Sequence, residues 1–315
     1  MKKLTRNETA DFLLTHDNYA ILTHRRPDGD TIGSSAALCR ILRKMGKTAH
    51  LLRNAEITDR FAWLHEGLTK EEAAETDTLV TVDVASPGML PARFEKYLGS
   101  IALRIDHHAS STSFTEKELV DSTMGACAEI LFDLLQALGQ ELDPQTADAI
   151  YVGTSTDTGC FRFANTTAHT FATAAACAAA GARVYALNQE LFETNTLGRL
   201  KIQSWIVENM QIFSGGQLAV VAIPRAVEEA IPVTEDDMDN ISSFPRSISG
   251  VCMAATLRET KEGDAKLSVR AIPGYDATVV AGAFGGGGHQ GAAGATLKMP
   301  LAEAAEAVKA AMLEL

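Results

Sequence analysis

Through its first half the chain alternates short apolar runs with stretches of helical spacing. Residues 19–23 form an apolar run that ends at His24, and residues 31–45 carry apolar positions at helical intervals up to Gly46. Residues 48–52, the β-branched run 79–84 and residues 101–105 read as further strands. Residues 124–138 and 143–151 read as helices, the second with Asp143 as its N-cap and Pro144 at its first position. The alanine-rich stretch 167–180 reads as another helix, closed by Gly181. This rhythm predicts an α/β fold whose N-terminal part is a mostly parallel sheet flanked by helices.

The pattern changes between Glu193 and Phe213. A helix over 197–211 leads to the turn Ser214-Gly215-Gly216. Strands at 217–223, 250–257, 266–271 and 295–298 follow, with helices at 275–283 and 301–315. An acidic segment, 235–239, is expected to be a solvated loop or a helix start. The organisation predicted is a domain over 1–192, a linker helix over 193–213 and a smaller mixed α/β domain over 214–315.

The bulk numbers fit two ordinary globular domains: 315 residues, 46% hydrophobic and 22% charged. No apolar run reaches the length of a membrane span, and the start, MKKLTRNETADFLLTHD, has no apolar core long enough for a signal peptide. A cytoplasmic protein without membrane contact is expected. The net charge of −12 and the lack of a dense Lys/Arg run argue against a grip on long nucleic acid. A short anion delivered to bound metal ions fits that charge better. The five cysteines have no CxxC spacing, so they read as small buried fillers rather than zinc ligands or a disulfide framework.

Candidate chemistry collects where the strand-like runs end. HRRPDGD, residues 24–30, puts His24, Asp28 and Asp30 in a loop made turn-like by Pro27 and Gly29. Alone, it reads also as a turn whose aspartate caps the next helix. Asp83 closes TLVTVDV, Asp106-His107-His108 closes IALRI, and Asp157 lies in the turn-like GTSTDTG. In an open parallel sheet, ligands gather outside the carboxyl ends of the strands, so three strands deliver Asp or His to one edge. Carboxylates and imidazoles without cysteine suit Mn²⁺, Mg²⁺ or Fe²⁺. Four aspartates balance two divalent ions, and such pairs clamp the attacking and leaving oxygens of an in-line displacement. Asp83 is the candidate bridging ligand. A second element, FGGGGHQGAAGA at 284–295, lets the backbone approach an anion, with His289 as a phosphate contact. On its glycines alone it is equally a flexible turn. His169, in the alanine-rich helix, reads as a surface or cap residue.

Together these motifs resemble the DHH phosphoesterase superfamily. HRRPDGD, the Asp83 strand, Asp106-His107-His108, the Asp157 turn and GGGHQGAAG occur in order from His24 to Gly294. Length and glycine motif are similar to the NrnA type, which combines a nanoRNase (oligoribonuclease) with a phosphatase for 3'-phosphoadenosine 5'-phosphate (pAp). The resemblance implies two Mn²⁺, or Mg²⁺ or another divalent ion, in the N-terminal domain. It implies substrate recognition by the C-terminal domain and an active cleft between the two. One ion would be held by His24, Asp28 and Asp83, the other by Asp30, Asp83, His107 and Asp157. His108 would touch the scissile phosphate or act as an acid, and Asp106 would orient a histidine. Arg270 and His289 would hold nucleotide phosphates, Gly287 and Gly288 would give backbone room, and Arg162 is a further substrate-side candidate. Ala271 departs from the family pattern, in which a serine often follows the arginine.

The activity so implied is hydrolysis of short oligoribonucleotides to mononucleotides and of pAp to AMP, with those molecules as the partners. Family members commonly pair, which allows a homodimer. Two alternatives stay open in the sequence. One is a phosphodiesterase for linear or cyclic dinucleotides such as pApA and c-di-AMP. The other is a degenerate nucleotide-binding sensor without activity, against which the intact set of acids and histidines stands.

Overall fold

Tyr19–Leu22 is buried at every position, because this strand lies in a sheet covered on both faces. Tyr19 and Ile21 enter one core, while Ala20 and Leu22 enter another with Leu79, Phe94 and Ile101. The computed structural model describes residues 2–238 and 240–314. The chain divides into two units, one ending at Thr194 and the other beginning at Asn195.

The first unit is built on β1 (Lys2–Lys3), β2 (Tyr19–Leu22), β3 (Ala49–Leu52), β4 (Thr69–Lys70), β5 (Thr78–Val82), β6 (Ile101–Asp106) and β7 (Lys117–Val120). Their order is β1-β7-β6-β5-β2-β3-β4, and every pairing is parallel. β1, β4 and β7 are too short and polar to have been read from the sequence. The order reverses at β2, with β3 on one side and β5 on the other, which makes the β2/β5 edge the crevice where ligands bind in such sheets.

The helix Gly29–Lys44 starts two residues earlier than the periodicity predicts. Asp28 caps it, accepting the N–H groups of Asp30 and Thr31 at 3.0 and 3.1 Å. The next helix, Cys127–Ala137, starts later than expected, since Ala126 offers no side-chain cap. Pro144–Asp157 runs beyond the predicted end at 151 and carries Asp157 in its last turn, where the Thr/Gly-rich pattern predicts a turn. Ser155 and Thr156 donate their hydroxyls to the Val152 carbonyl and Thr158 donates to Thr154, so the polar run stays helical.

Helices Gly29–Lys44 and Pro144–Asp157 cross at glycine. A Cβ on Gly33 would lie 2.3 Å from the Ala149 carbonyl oxygen, and one on Gly153 would lie 2.8 Å from Asp30 Oδ1. Gly33→Ala is expected to destabilise the protein by about 2 kcal/mol, although Gly→Ala inside a helix ordinarily stabilises it. A urea midpoint that rises instead would show that the helices are not packed this closely.

The second unit holds β8 (Gln211–Phe213), β9 (Leu218–Ile223), β10 (Met253–Glu259), β11 (Ala265–Ala271), β12 (Gly287–His289) and β13 (Ala292–Leu297). The order is β12-β13-β11-β10-β9-β8, with β9 and β10 parallel and the other neighbours antiparallel. Leu257, Leu267 and Val269 pack with Val280 and Val308, from helices Ala277–Gly282 and Leu301–Leu313. Ile202 and Ile206, from helix Leu197–Asn209, pack with Val221 and Ile223.

Three expectations need correction. Part of the glycine stretch is the edge strand β12 rather than a loop, because Gly286 and Gly288 approach the Gly294 and Ala292 carbonyls more closely than any Cβ permits. The acidic segment opens the short helix Glu235–Met238, as one of its two readings has it, but it is not solvated throughout: Asp237 is buried, accepting hydrogen bonds from Thr196 Oγ1 and the Thr234 N–H. Cys39, Cys127 and Cys177 are buried fillers, but Cys160 and Cys252 lie half-buried outside the helices and strands. Asp239, at the end of the acidic segment, and Leu315, at the end of the last helix, lie outside the described residues. Among the described residues no helix is long and apolar enough to cross a membrane.

Candidate metal centre

The carboxyl ends of β2, β5 and β6 converge on a cluster of acids and imidazoles. Asn54, after β3, holds the first loop by donating to Thr23 Oγ1 and the His24 carbonyl at 3.0 and 2.9 Å. The rings of His24 and His107 are fixed alike. His24 Nδ1 lies 2.8 Å from the Arg25 carbonyl and His107 Nδ1 lies 3.2 Å from the Met124 carbonyl. An Nδ1–H donated to a carbonyl leaves the Nε2 lone pair as the ligand atom.

Those Nε2 atoms face carboxylates. His24 Nε2 is 3.6 Å from Asp28 Oδ1 and 3.7 Å from Asp83 Oδ2. His107 Nε2 is 3.7 Å from Asp30, 3.6 Å from Asp83 and 3.5 Å from Asp157. A lone pair aimed at several carboxylates is repulsive until a cation, proton or metal, enters. The donor atoms of His24, Asp28 and Asp83 lie within 4.8 Å of one another, as do those of Asp30, His107 and Asp157, and those of Asp83, His107 and His108.

Asp83 joins these groups. One of its oxygens faces His24; the other faces His107 and His108 and has no hydrogen-bond partner although the residue is buried. Its backbone is left-handed at φ +59°, a conformation that aspartate tolerates better than most residues and that often marks functional positions. Asp30 is anchored differently. It accepts the Cys127 and Ala128 N–H groups at 2.6 and 3.0 Å and the Ser34 hydroxyl at 2.9 Å. It thus sits on the positive end of helix Cys127–Ala137, in the place of the cap that Ala126 lacks. Asp28 is both a helix cap and a member of the cluster, so the two readings of the first motif hold together.

Crowding shifts the protonation of the protein alone. Burial, then the Asp83 charge, pushes Asp30 well above the usual carboxylate range. Burial pushes Asp157 to about 7, with Asp28 and Asp83 adding to the rise and His107 opposing it. Burial alone would lower His107, but Asp30, Asp83 and Asp157 outweigh it and hold the imidazolium to about 9. Carboxylates and imidazoles brought this close and left without full hydrogen bonding fit divalent ions with oxygen and nitrogen preference.

His108 is set apart from the other histidines. Its Nδ1 lies 2.8 Å from Asp106 Oδ1, and the same oxygen accepts the His107 N–H at 2.9 Å. Behind it, the fully buried Arg104 reaches Glu118 at 3.0 Å and donates to the Ala85 and Thr112 carbonyls, tying the loop after β5 to the loop after β6.

The remaining candidates lie elsewhere. Arg162 is exposed in the loop after Asp157, its Nε donating to the Gly159 carbonyl at 2.6 Å. Arg270 and His289 belong to the second unit and both register on Ala292, Arg270 through β11–β13 and His289 through β12–β13. Directly opposed residues share a face, so the two side chains are carried on one side of the sheet. Gly287 pairs with Gly294 two positions along the same strands. Gly287, Gly294, Arg270 and Lys266 line an open groove there of about 410 Å³.

Sequence reading missed Asn54, Ser34, Arg104 and Asn165, none of which stands in an acid or histidine motif. Asn165 donates to the Gly125 carbonyl at 2.8 Å and the Asp157 carbonyl at 3.2 Å. It thereby links the turn that fixes His107 to the helix end that carries Asp157. Asn165→Ala is expected to weaken divalent-metal affinity about 10- to 100-fold, the usual cost of losing an outer partner of a site. Calorimetric titration with Mn²⁺ checks this, and an unchanged affinity would remove Asn165 from the account.

Comparison with known proteins agrees with this architecture. Residues 18–154 match the N-terminal domain of the DHH family, and residues 216–315 match the DHHA1 domain. The chain is 34% identical over 298 residues to a Thermus thermophilus protein named bifunctional oligoribonuclease and PAP phosphatase NrnA, covering 93% of this chain and 89% of that one. It is 26% identical to the Bacillus subtilis protein of the same name, covering 90% of each. A crystal structure of an exopolyphosphatase-related protein from Bacteroides fragilis has the same fold, with a TM-score of 0.88 at 21% identity over 98% of this chain and 96% of that one. By its domain matches and by the extent of these identities, the chain belongs to the DHH family.

Proposed function

We propose that the protein is a phosphoesterase dependent on two divalent ions, Mn²⁺ by preference, that hydrolyses short oligoribonucleotides to mononucleotides and pAp to AMP. The observation that carries this reading is Asp83, whose two oxygens face two separate Asp/His sets. The names of the Thermus and Bacillus relatives support the choice of substrates.

His24, Asp28 and Asp83 would hold one ion, and Asp30, Asp83, His107 and Asp157 the other. Ions bound there supply charge stabilisation to phosphoryl oxygens and lower the pKa of a water. The chain's own groups do the rest. Asp106 holds the Nδ1 edge of His108, which leaves Nε2 as the atom that can pass a proton to the leaving oxygen. Asp106 and Asp83 raise the His108 pKa against the effect of burial, which favours the protonated ring. Residues 1–192 would carry the chemistry, joined by 193–213 to a substrate-binding domain over 214–315. In that domain Arg270 and His289 would take the nucleotide phosphates, Gly287 and Gly288 would give the backbone room, and in the first domain Arg162 would add a substrate contact.

The test is a length series of labelled oligoribonucleotides with Mn²⁺, run beside pAp, pApA and c-di-AMP. Two- to five-nucleotide RNA and pAp are expected to turn over well and long RNA poorly. Equal cleavage of long RNA would reject the length limit, and faster turnover of c-di-AMP or pApA than of nanoRNA would favour the dinucleotide reading. Arg270→Ala should raise KM about 10- to 100-fold, the cost of a lost charged hydrogen bond, with kcat much less affected.

A further inference from the structure

The loop after Asp157 holds an unusual backbone. Gly159, Cys160 and Phe161 are left-handed in succession, at φ +58°, +58° and +62°. For the two residues with a Cβ this costs about 1–2 kcal/mol each. The turn folds the chain back on the helix end, so that the Arg162 and Phe163 N–H groups both reach the Thr158 carbonyl at 3.0 Å. Phe161 is accounted for by packing, with ring centroids 5.9 Å from Tyr151 and 5.6 Å from Phe171. Phe163 is not. It is 42% exposed, yet its ring lies so close to Gly159 that a Cβ there would come within 2.4 Å of ring carbons. Only glycine allows the ring this position, and an exposed ring adds little to folding.

We propose that Phe163 is a stacking platform for the nucleobase of the substrate whose phosphoester reaches the Asp/His cluster; this rests on the phosphoesterase reading. The backbone strain then has a purpose, since it fixes an aromatic face within a short loop of Asp157. Every base offers a π-face, so such a platform separates nucleotides from bare phosphoesters without choosing among bases. Stacking also suits an acidic protein with few cations to spare, because it adds affinity without charge.

The experiment compares pAp with its base-free counterpart, ribose 3,5-bisphosphate, in full-length protein with Mn²⁺. The quantity read is the ratio of kcat/KM for the two substrates. Phe163→Ala is expected to lower that ratio about 5- to 150-fold, the range that stacking on one aromatic spans. Phe163→Leu keeps apolar bulk without a π-face and should lower it similarly at an unaltered thermal midpoint, whereas Phe163→Trp should restore it. An unmoved ratio in the alanine variant, or a leucine variant equal to wild type, would overturn the platform. A wild type that hydrolyses neither compound would instead overturn the pAp phosphatase reading on which the proposal rests.

Discussion

Replacing Asp83 by asparagine is expected to cut turnover by about 10³-fold or more. Asparagine keeps the size of the side chain and tolerates the left-handed backbone at φ +59°, so the fold has no reason to fail. What is lost is the negative charge facing both ligand sets, and a metal-assisted displacement without its shared ligand loses at least what one strong transition-state contact supplies. Initial rates in Mn²⁺ measure the effect. A variant that keeps a tenth of the wild-type rate would contradict the account.

Metal uptake should tighten steeply with pH. At pH 6 the metal-free site carries protons on Asp157, held to about 7, and on His107, held to about 9. A metal ion must displace both. Each displaced proton is worth about tenfold in apparent affinity per pH unit, so between pH 6 and 8 Asp157 and His107 alone give roughly 10³-fold, two protons counting below pH 7 and one above. Asp30 and His24, whose pKa values are also raised, add to the gain. The sign for stability follows. Both groups have raised folded-state pKa values, so their contribution is present at low pH. It is lost as pH passes about 7 for Asp157 and about 9 for His107. The metal-free protein should therefore melt lower at pH 8 than at pH 6, and saturating Mn²⁺ should remove most of that slope. Titrations in buffers of different ionisation enthalpy count the protons released. No release and a flat affinity would mean that these side chains do not hold the ion.

Most of the parallel sheet and its helices is legible because apolar runs and helical spacings alternate between Tyr19 and Gly181, the short and polar β4 and β7 excepted. The site is legible for a related reason: His24, Asp83 and Asp106-His107-His108 come at or just after strand ends, Asp28 and Asp30 at the helix start that follows the first of them, and the strand ends of an open sheet share one edge. The missing parts depend on contacts distant in sequence. Asp157 reads as a turn residue because its Thr and Gly neighbours resemble a turn, and the hydroxyl hydrogen bonds of Ser155, Thr156 and Thr158 to earlier carbonyls keep the helix running. Asn165 and Ser34 carry no signature of their own, since their importance lies in reaching the Asp157 carbonyl and Asp30 Oδ1. Asp237 looks solvated beside Glu235 and Asp236 until Thr196, some forty residues earlier, is brought against it. The glycine stretch carried its signal, but that its middle pairs as β12 depends on a register with β13 that composition does not encode.

The central claim is that Asp83 bridges two divalent ions, and anomalous diffraction from crystals grown with Mn²⁺ tests it most directly. The account predicts two peaks, one among His24, Asp28 and Asp83 and the other among Asp30, Asp83, His107 and Asp157, each with an Asp83 oxygen as ligand. A single peak, or two ions neither of which touches Asp83, would contradict it.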